Sequence, residues 1–206
     1  MGVTRRGPAV GRDRVLAEAA AMLEEEGPDQ LTTRRIAERV GASTQLIYTL
    51  FGGKNGLIDA LYREGFRSLT QSLSQVPVTD RPEQDLVALG LAYRENALRR
   101  PAFYGLMFGH SVAGYTPAEE SRRTAAGAYA VLVEASGRLL AADDAHGGTA
   151  EEAREVALHL WATVHGMVSL ELAGMLPSGL GSELRFARHV RAICAPAPRH
   201  RDDEPL

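Results

Sequence analysis

The 206-residue chain has very little cysteine or lysine. Its single cysteine, Cys194, cannot form a disulfide within the chain, and its single lysine, Lys54, stands among 23 basic residues. The N-terminus carries no apolar run of signal-peptide length. These absences exclude a disulfide-stapled scaffold and predict a cytoplasmic protein that folds on its hydrophobic core alone.

The sequence also lacks the motifs of common catalytic sites. It has no glycine-rich phosphate loop after a strand, no nucleophile elbow, no HExxH motif and no pair of cysteines. His159 and His165 are six positions apart, which turns them to separate faces of a helix and argues against a shared metal. We therefore predict a protein that is not an enzyme and uses no metal or cofactor.

A membrane-spanning segment is not expected either. The longest apolar stretch, residues 156–176, approaches spanning length. It contains side chains that are costly in lipid, namely His159, Thr163, His165, Ser169 and Glu171. This stretch is therefore predicted to be a buried helix of a protein without a membrane partner.

Charge alone does not identify the partner. The formal net charge is −3, with 10 basic and 9 acidic residues in residues 1–70 and 13 and 17 in residues 71–206. Placement is more informative, because four arginines precede or open the first predicted helix: Arg5, Arg6, Arg12 and Arg14. These arginines are as consistent with a DNA contact as with a solvated surface.

Residues 32–57 have the pattern of two short helices joined by a tight turn. Apolar residues repeat at helical spacing on both sides of the turn: Ile36, Ala37 and Val40 before it, and Leu46, Ile47, Leu50 and Phe51 after it. Gly41 can adopt the positive φ that ends a helix, and Thr32 and Ser43 can accept from free N–H groups where the helices start. The pattern predicts a helix-turn-helix motif.

This stretch resembles the DNA-binding motif of the TetR/AcrR transcriptional repressors. The positions that carry the resemblance are Thr32, Ile36, Ala37, Gly41, Ser43, Tyr48, Phe51, Lys54 and Leu57. The likeness covers about the first quarter of the chain. It implies an all-α protein, with an N-terminal three-helix DNA-binding domain followed by a C-terminal helical domain for ligand binding and dimerisation. It also implies that Lys54 contacts a DNA phosphate and that Tyr48 packs against the DNA backbone.

The second helix of the motif is the predicted recognition helix, and it carries no charge. Ile47 and Phe51 are spaced to face the core, while Gln45 can pair bidentately with adenine. Leu46 and Leu50 either touch thymine methyl groups or widen the core contact. The predicted DNA-binding residues are Thr32, Arg34, Ser43, Thr44, Gln45, Leu46, Tyr48, Thr49 and Lys54. Capping or a solvated surface is the alternative interpretation of the polar ones.

Beyond the motif the sequence predicts helices only, with no strand and no internal repeat. The predicted helices outside the motif span residues 12–26, 54–73, 84–98, 101–108, 117–142, 150–176 and 182–194. The predicted organisation is a flexible basic arm (1–10), a helix-turn-helix domain (11–56), a connecting helix (57–76), an effector-binding and dimerisation domain (77–195) and a disordered tail (196–206).

Trp161, His165 and Gly166 resemble the Trp-His-Gly C-terminal domain of one branch of the same family. This resemblance implies a ligand pocket and a four-helix interface between two subunits. The candidate pocket residues are Tyr93, Phe103, Tyr104, Met107, Phe108, Tyr129, Trp161 and His165. Such residues at helical spacing are also typical of an ordinary core, and both interpretations stand. If they line a pocket, the effector is a small apolar or aromatic molecule.

Together these features predict a homodimeric, ligand-responsive transcriptional repressor that binds an inverted-repeat operator in double-stranded DNA. Two alternatives remain. One is an all-helical small-molecule-binding protein or enzyme with an incidental helix-turn-helix, and the other is a dimeric interaction scaffold. Sequence-specific duplex binding separates the first interpretation from both.

Overall fold

The structure is a computed structural model that describes residues 10–109, 112, 114–142, 148–176 and 183–194. Within these residues the chain forms nine α-helices and no strand, which confirms the all-α fold class. The predicted basic arm, apart from Val10, and the predicted tail lie outside the described residues.

The helix bounds agree closely with the sequence pattern. The helices are α1 (Arg12–Glu26), α2 (Thr33–Val40), α3 (Thr44–Phe51), α4 (Lys54–Ser74), α5 (Pro82–Arg99), α6 (Pro101–Phe108), α7 (Glu119–Ala141), α8 (Ala150–Leu172) and α9 (Glu183–Cys194), with a 3-10 turn at Pro28–Gln30. The largest difference is at the end of α8, which was predicted to reach Leu176. Gly174 takes a φ of 67° just after the helix, so the chain turns away although its apolar pattern continues.

The start of α8 is fixed by a reciprocal pair of hydrogen bonds. The Thr149 hydroxyl accepts from the Glu152 backbone N–H at 3.2 Å, and the Glu152 carboxylate accepts from the Thr149 backbone N–H at 2.7 Å. This capping box satisfies two N–H groups that have no partner within the helix. It explains why α8 begins where the sequence predicted.

The chain packs into two compact units. The first contains Met1–Gln71 and Asn96–Ala128, and the second contains Ser72–Glu95 and Tyr129–Leu206. This division groups residues by packing rather than by function. The functional boundaries proposed from the sequence therefore stay predictions.

A single apolar core in the first unit joins α1 to the two motif helices, to α4 and to α6. Its most buried side chains include Met22, Leu23, Ile36, Ile47, Leu61 and Phe103. The buried face of α1 consists of Val15, Ala19, Met22 and Leu23, as its apolar stripe predicted. Burial of these side chains holds α2 and α3 against α1.

In the second unit, α5 packs closely against α8 and α9. A Cβ atom at Gly90 of α5 would lie 3.1 Å from Cγ2 of Val190 and 3.5 Å from Cγ2 of Val164, so the absence of a side chain permits the close approach. Nearby, the Arg94 Nε donates to Glu171 Oε2 at 2.7 Å. No helix in the described parts of the chain is long and apolar enough to cross a membrane.

Candidate nucleic-acid interface

The two motif helices begin and end as predicted, with one exception. The Thr32 hydroxyl accepts from the Arg35 backbone N–H at 3.2 Å, and Gly41 ends α2 with a φ of 67°. Ser43 occupies the position before α3, but its side chain makes no capping hydrogen bond, so its predicted capping role is wrong. Because Ser43 is exposed and not used as a cap, its hydroxyl stays accessible.

The recognition helix α3 has one buried side and one exposed side. Ile47 is fully buried, and Phe51 and Leu50 are partly buried against the core of the first unit. Leu50 therefore widens the core contact, as one of the two interpretations held. Leu46 is half-buried and is not part of that core, so it remains a candidate for an apolar base contact.

The polar residues of α3 lie on its exposed side. Tyr48 is 54% exposed, and Thr44, Gln45 and Thr49 are exposed as well. The Thr49 hydroxyl donates to the Gln45 backbone carbonyl at 2.9 Å. The Gln45 side chain takes no part in this bond. The helix thus presents a continuous neutral polar surface to the outside.

Two glycines after α3 permit a close approach of backbone and side chain. A Cβ atom at Gly53, whose φ is +109°, would lie 3.0 Å from Cε1 of Tyr48. A Cβ atom at Gly56 would lie 1.7 Å from the Phe51 carbonyl oxygen. The Tyr48 ring therefore packs against Gly53. The backbone of Gly56, in the first turn of α4, lies close to the Phe51 carbonyl at the end of α3.

Two of the three α2 arginines are tied to α1 by carboxylates. Arg39 pairs with Glu25, with Glu26 at 3.2 Å and with Glu18 at 3.4 Å. The hydrogen bond with Glu25 raises the pKa of Arg39 above its usual value. Arg35 pairs with Glu26 at 2.6 Å. The run of acidic residues at the end of α1 therefore has a structural use, because it neutralises α2.

Arg34, the third arginine of α2, is placed differently. It pairs with Glu38 at 2.9 Å along the same helix, and its side chain is 84% exposed. Exposed pairs of this kind hold weakly, about 0.3–0.5 kcal/mol. Arg34 can therefore exchange Glu38 for another anion, which suits its predicted role.

Three cations of the helix-turn-helix region make no ion pair with any described residue: Arg12, Arg14 and Lys54. All three are exposed. The Arg12 guanidinium lies over the Phe51 ring, 4.9 Å from its centroid, which holds it near the C-terminal end of α3. Lys54 begins α4 just after the same end. Sequence reasoning missed the Arg12–Phe51 contact, because only the fold brings these distant residues together.

The eight predicted ligand residues fall into two groups. Phe103, Tyr104, Met107 and Phe108 belong to the first unit. Phe103 is a buried member of its core, as the alternative interpretation held. Met107 and Phe108 line a pocket of about 120 Å³ together with Tyr62 and Tyr115. Small-molecule sites usually measure about 300–1,000 Å³, so this pocket suits only a very small ligand.

The other four predicted residues, Tyr93, Tyr129, Trp161 and His165, interact within the second unit. The Tyr93 hydroxyl and His165 Nδ1 are 3.1 Å apart, and burial lowers the pKa of His165. The Tyr129 ring lies 5.4 Å from that of Trp161, and its hydroxyl donates to the Arg154 carbonyl at 2.7 Å. A separate pocket of about 180 Å³ in this unit is lined by other residues, between positions 73 and 138, and by none of these four.

The described part of the chain contains no candidate metal site. No group of three or more His, Cys, Asp or Glu side chains among those residues is arranged to hold a metal ion. The chemistry that the geometry does offer is recognition. A neutral polar helix face with unpaired cations near its end suits base edges flanked by phosphates.

An exposed recognition helix on a three-helix head, followed by a helical body, defines a helix-turn-helix DNA-binding regulator. Two family models match the chain. Residues 15–61 match the bacterial regulatory proteins of the tetR family, and residues 86–193, more than half of the chain, match the tetracyclin repressor-like C-terminal domain. The chain belongs to the TetR family of transcriptional regulators. The narrower assignment to the Trp-His-Gly branch is not confirmed by these matches.

Individual proteins and solved structures are also similar to this chain. The uncharacterized HTH-type transcriptional regulator Rv0681 of Mycobacterium tuberculosis is 23% identical over 81% of this chain and 72% of its own length. A solved protein of unknown function from Rhodococcus sp. RHA1 is 26% identical, with a TM-score of 0.79 and coverage of 93% and 97%. A TetR variant from Acinetobacter baumannii AYE, in complex with minocycline, shares the fold at 23% identity, with a TM-score of 0.61 and coverage of 90% and 94%. Regulators of this family bind DNA and small molecules, act as dimers and are typically not enzymes.

Proposed function

We propose that this regulator is a repressor, which binds an inverted-repeat operator as a homodimer and is released by a small apolar or aromatic effector. The observation that carries the DNA-binding part is the exposed polar side of α3 beside the unpaired cations Arg12 and Lys54. Two heads related by a two-fold axis would enter successive major grooves about 34 Å apart, which requires a palindromic site. Because its partner is DNA, the protein would act in the cytoplasm.

In this proposal, the middle of α3 reads bases. Gln45 donates and accepts through one amide and therefore suits an adenine edge. Thr44 and Thr49 supply hydroxyl groups for either base type, and Leu46 supplies an apolar surface for a thymine methyl group. No charged side chain of α3 competes for these contacts, so sequence preference rests on hydrogen-bond pattern and shape.

Phosphate contacts surround this reading surface. Lys54 and Arg12 flank the C-terminal end of α3, while Thr32, Ser43 and Arg34 lie at or near the starts of the motif helices. Tyr48 is exposed enough for its hydroxyl to reach a phosphate. These contacts position the head without specifying the sequence.

The dimer and the effector are proposed on separate grounds. Several large apolar side chains on or near α8 and α9 are exposed in the single chain: Leu158, Leu170, Leu172, Met175 and Leu184. Exposed apolar side chains in this number favour a protein partner, and a second copy of the chain fits the family. The related TetR variant in complex with minocycline supports a small-molecule effector. Its candidate contacts are the predicted ligand residues of either unit taken by itself, apart from the core residue Phe103.

Selection of binding sites from random duplexes tests the DNA-binding part. We expect a palindromic consensus from the full chain and none from Tyr48→Ala. Gln84→Ala, which removes an exposed glutamine from α5, is the matched control and should select the same consensus as the parent. Recovery of no consensus by the parent would contradict the proposal.

Placing the recovered site between a promoter and a reporter gene separates repression from activation. Expression should fall when the protein is present and should stay unchanged with Tyr48→Ala. A rise in expression would retain the DNA-binding regulator and overturn the repressor.

A further inference from the structure

Arg12 stands at a position that its own helix does not favour. It is the first residue of α1, and the N-terminal end of a helix carries a partial positive charge, so a cation there is unfavourable. The residue before it, Gly11, has no side chain that could cap the free N–H groups of this end. The electrostatics of α1 therefore give no reason for an arginine at this position.

The reason lies on the recognition helix. The Arg12 guanidinium lies over the ring of Phe51, the last residue of α3, with its Cζ atom 4.9 Å from the ring centroid. The C-terminal end of a helix carries a partial negative charge, so a cation is favourable there. The Arg12 side chain thus connects the positive end of α1 to the negative end of α3.

The Phe51 ring is itself held in place. It is partly buried and packs against the apolar core of the first unit, which restricts its rotamers. Arg12 is exposed, and an exposed arginine without a partner samples many rotamers. Arg14 shows this contrast, because it is exposed and makes neither an ion pair nor a cation–π contact with any described residue. The ring is therefore a fixed surface for an otherwise flexible cation.

A ring is also a different kind of partner from a carboxylate. Carboxylate oxygens accept the N–H donors of a guanidinium, as those of Glu25 and Glu26 do for Arg39. An aromatic ring has no oxygen acceptor and attracts the charge through its face. No described residue accepts a side-chain hydrogen bond from Arg12. Arg12 is thus held in position while its donors stay available for a phosphate.

We propose that Phe51 is a positioning residue for DNA binding, which holds the Arg12 guanidinium at the C-terminal end of α3, where it contacts a phosphate. This rests on the proposed function, in which Arg12 makes a phosphate contact. Binding through a flexible arginine costs the ordering of its side chain, and the contact with Phe51 imposes much of that order before DNA arrives. The ring therefore raises operator affinity without touching DNA.

Affinity and its salt dependence respond differently to a positioning residue. Arg12→Ala removes a charge, so it should lower the affinity and also the slope of log affinity against log salt, the slope by about 0.9 per protomer. Phe51→Leu keeps that charge and keeps an apolar side chain toward the core. It should lower operator affinity about two- to fivefold for each protomer and leave the slope unchanged. Phe51→Tyr keeps the ring and should keep the affinity of the parent.

A double-mutant cycle separates positioning from a structural effect on α3. If Phe51 acts through Arg12, Phe51→Leu should lose its effect on operator affinity in an Arg12→Ala background. Arg14→Ala is the matched control, because it removes an exposed cation of the same helix that has no ring contact among the described residues. In that background the effect of Phe51→Leu should remain whole. Equal losses in the parent and in the Arg12→Ala background would overturn the proposal.

The contact itself can be measured without DNA. NMR of the full chain should show the Arg12 side-chain protons shifted upfield by the Phe51 ring, and this shift should vanish in Phe51→Leu. Thermal unfolding checks the folding of each variant, and Phe51→Met replaces Phe51→Leu if the latter does not fold. Unshifted Arg12 protons in the parent would overturn the positioning even where DNA binding stands. If the parent selects no operator, the proposed function fails and the phosphate contact fails with it, whereas the NMR shift still decides whether the ring holds Arg12.

Discussion

The two helices of the motif are equal in length and share one core, yet they treat charge in opposite ways. α2 contains three arginines and one glutamate, and two of its arginines are held by the carboxylates of α1. α3 contains no charged residue and exposes a row of neutral polar side chains. The helix with the basic sequence is therefore largely neutralised within the protein, and the uncharged helix is the one that faces outward.

This difference shows why basic residues alone are a poor guide to a DNA-binding surface. An arginine that is already paired must lose a carboxylate before it can gain a phosphate, so it contributes little to counterion release. An unpaired cation meets no such cost. Among the described residues of the helix-turn-helix domain, Lys54, Arg12 and Arg14 make no ion pair, and Arg34 makes only an exposed pair with Glu38.

Ile47→Ala should have the largest effect, because it removes the buried side chain that holds α3 in the core shared with α2. Ile47 is fully buried in the shared core, and truncation of such a side chain costs about 2–5 kcal/mol of unfolding free energy. Operator binding should fall with the folded fraction. Chemical denaturation followed by circular dichroism measures the loss. Leu46→Ala, which lies outside that core, should cost much less, and an equal loss would contradict the assigned faces.

Gln45→Ala tests whether the uncharged, exposed side of α3 reads the DNA sequence. Loss of a bidentate contact costs about 1–3 kcal/mol at one base pair of each half-site. Titration of the variant against operators changed at single positions measures this, and the preference should relax at one position only. The slope of affinity against salt concentration should stay the same. Uniform weakening on every operator would show that Gln45 does not read a base.

Lys54→Ala should weaken binding to all duplexes alike. Loss of one phosphate contact lowers the slope of log affinity against log salt by about 0.9 per protomer. Lys54→Arg is the matched control and should keep most of the slope, because it keeps the charge. An unchanged slope in Lys54→Ala would remove this residue from the contacts.

Arg39→Ala should have the smallest effect on DNA binding, since its guanidinium is occupied by Glu18, Glu25 and Glu26. We expect an unchanged salt slope and a fall in the denaturation midpoint that is smaller than the fall for Ile47→Ala. Arg34→Ala should show the reverse pattern, with a lower salt slope and little change in stability. A lower slope for Arg39→Ala would break the distinction between paired and unpaired arginines.

Local features of this fold could be predicted well from the sequence, because their causes lie within a few residues. Thr32 caps α2 through the Arg35 N–H, and Gly41 ends α2 in the left-handed region, as their types and positions indicated. Ser43 shows the limit of such reasoning. It has the right type and position for a cap, but its hydroxyl does not make the bond.

Contacts between distant residues could not be predicted in the same way. Tyr115 and Asp59 are 56 positions apart, and Tyr93 and His165 are 72 apart, so no periodicity links them. The sequence indicated that Tyr93, His165, Met107 and Phe108 face the interior, but it could not tell core packing from a pocket wall. Only the fold shows that Met107 and Phe108 line a cavity with Tyr115.

The glycines after α3 have a consequence for how variation in this protein should be interpreted. In a saturation library selected for operator binding, substitutions at Gly53 would be depleted as strongly as those at a base-contacting residue, because a side chain there displaces the Tyr48 ring. Substitutions at Gly56 would be lost even under selection for folding alone, since its Cβ has no space beside the Phe51 carbonyl. A map of the positions that tolerate no substitution would therefore include Gly53 and Gly56, although neither has a side chain that could contact DNA. Such a map would overestimate the extent of the DNA-binding surface.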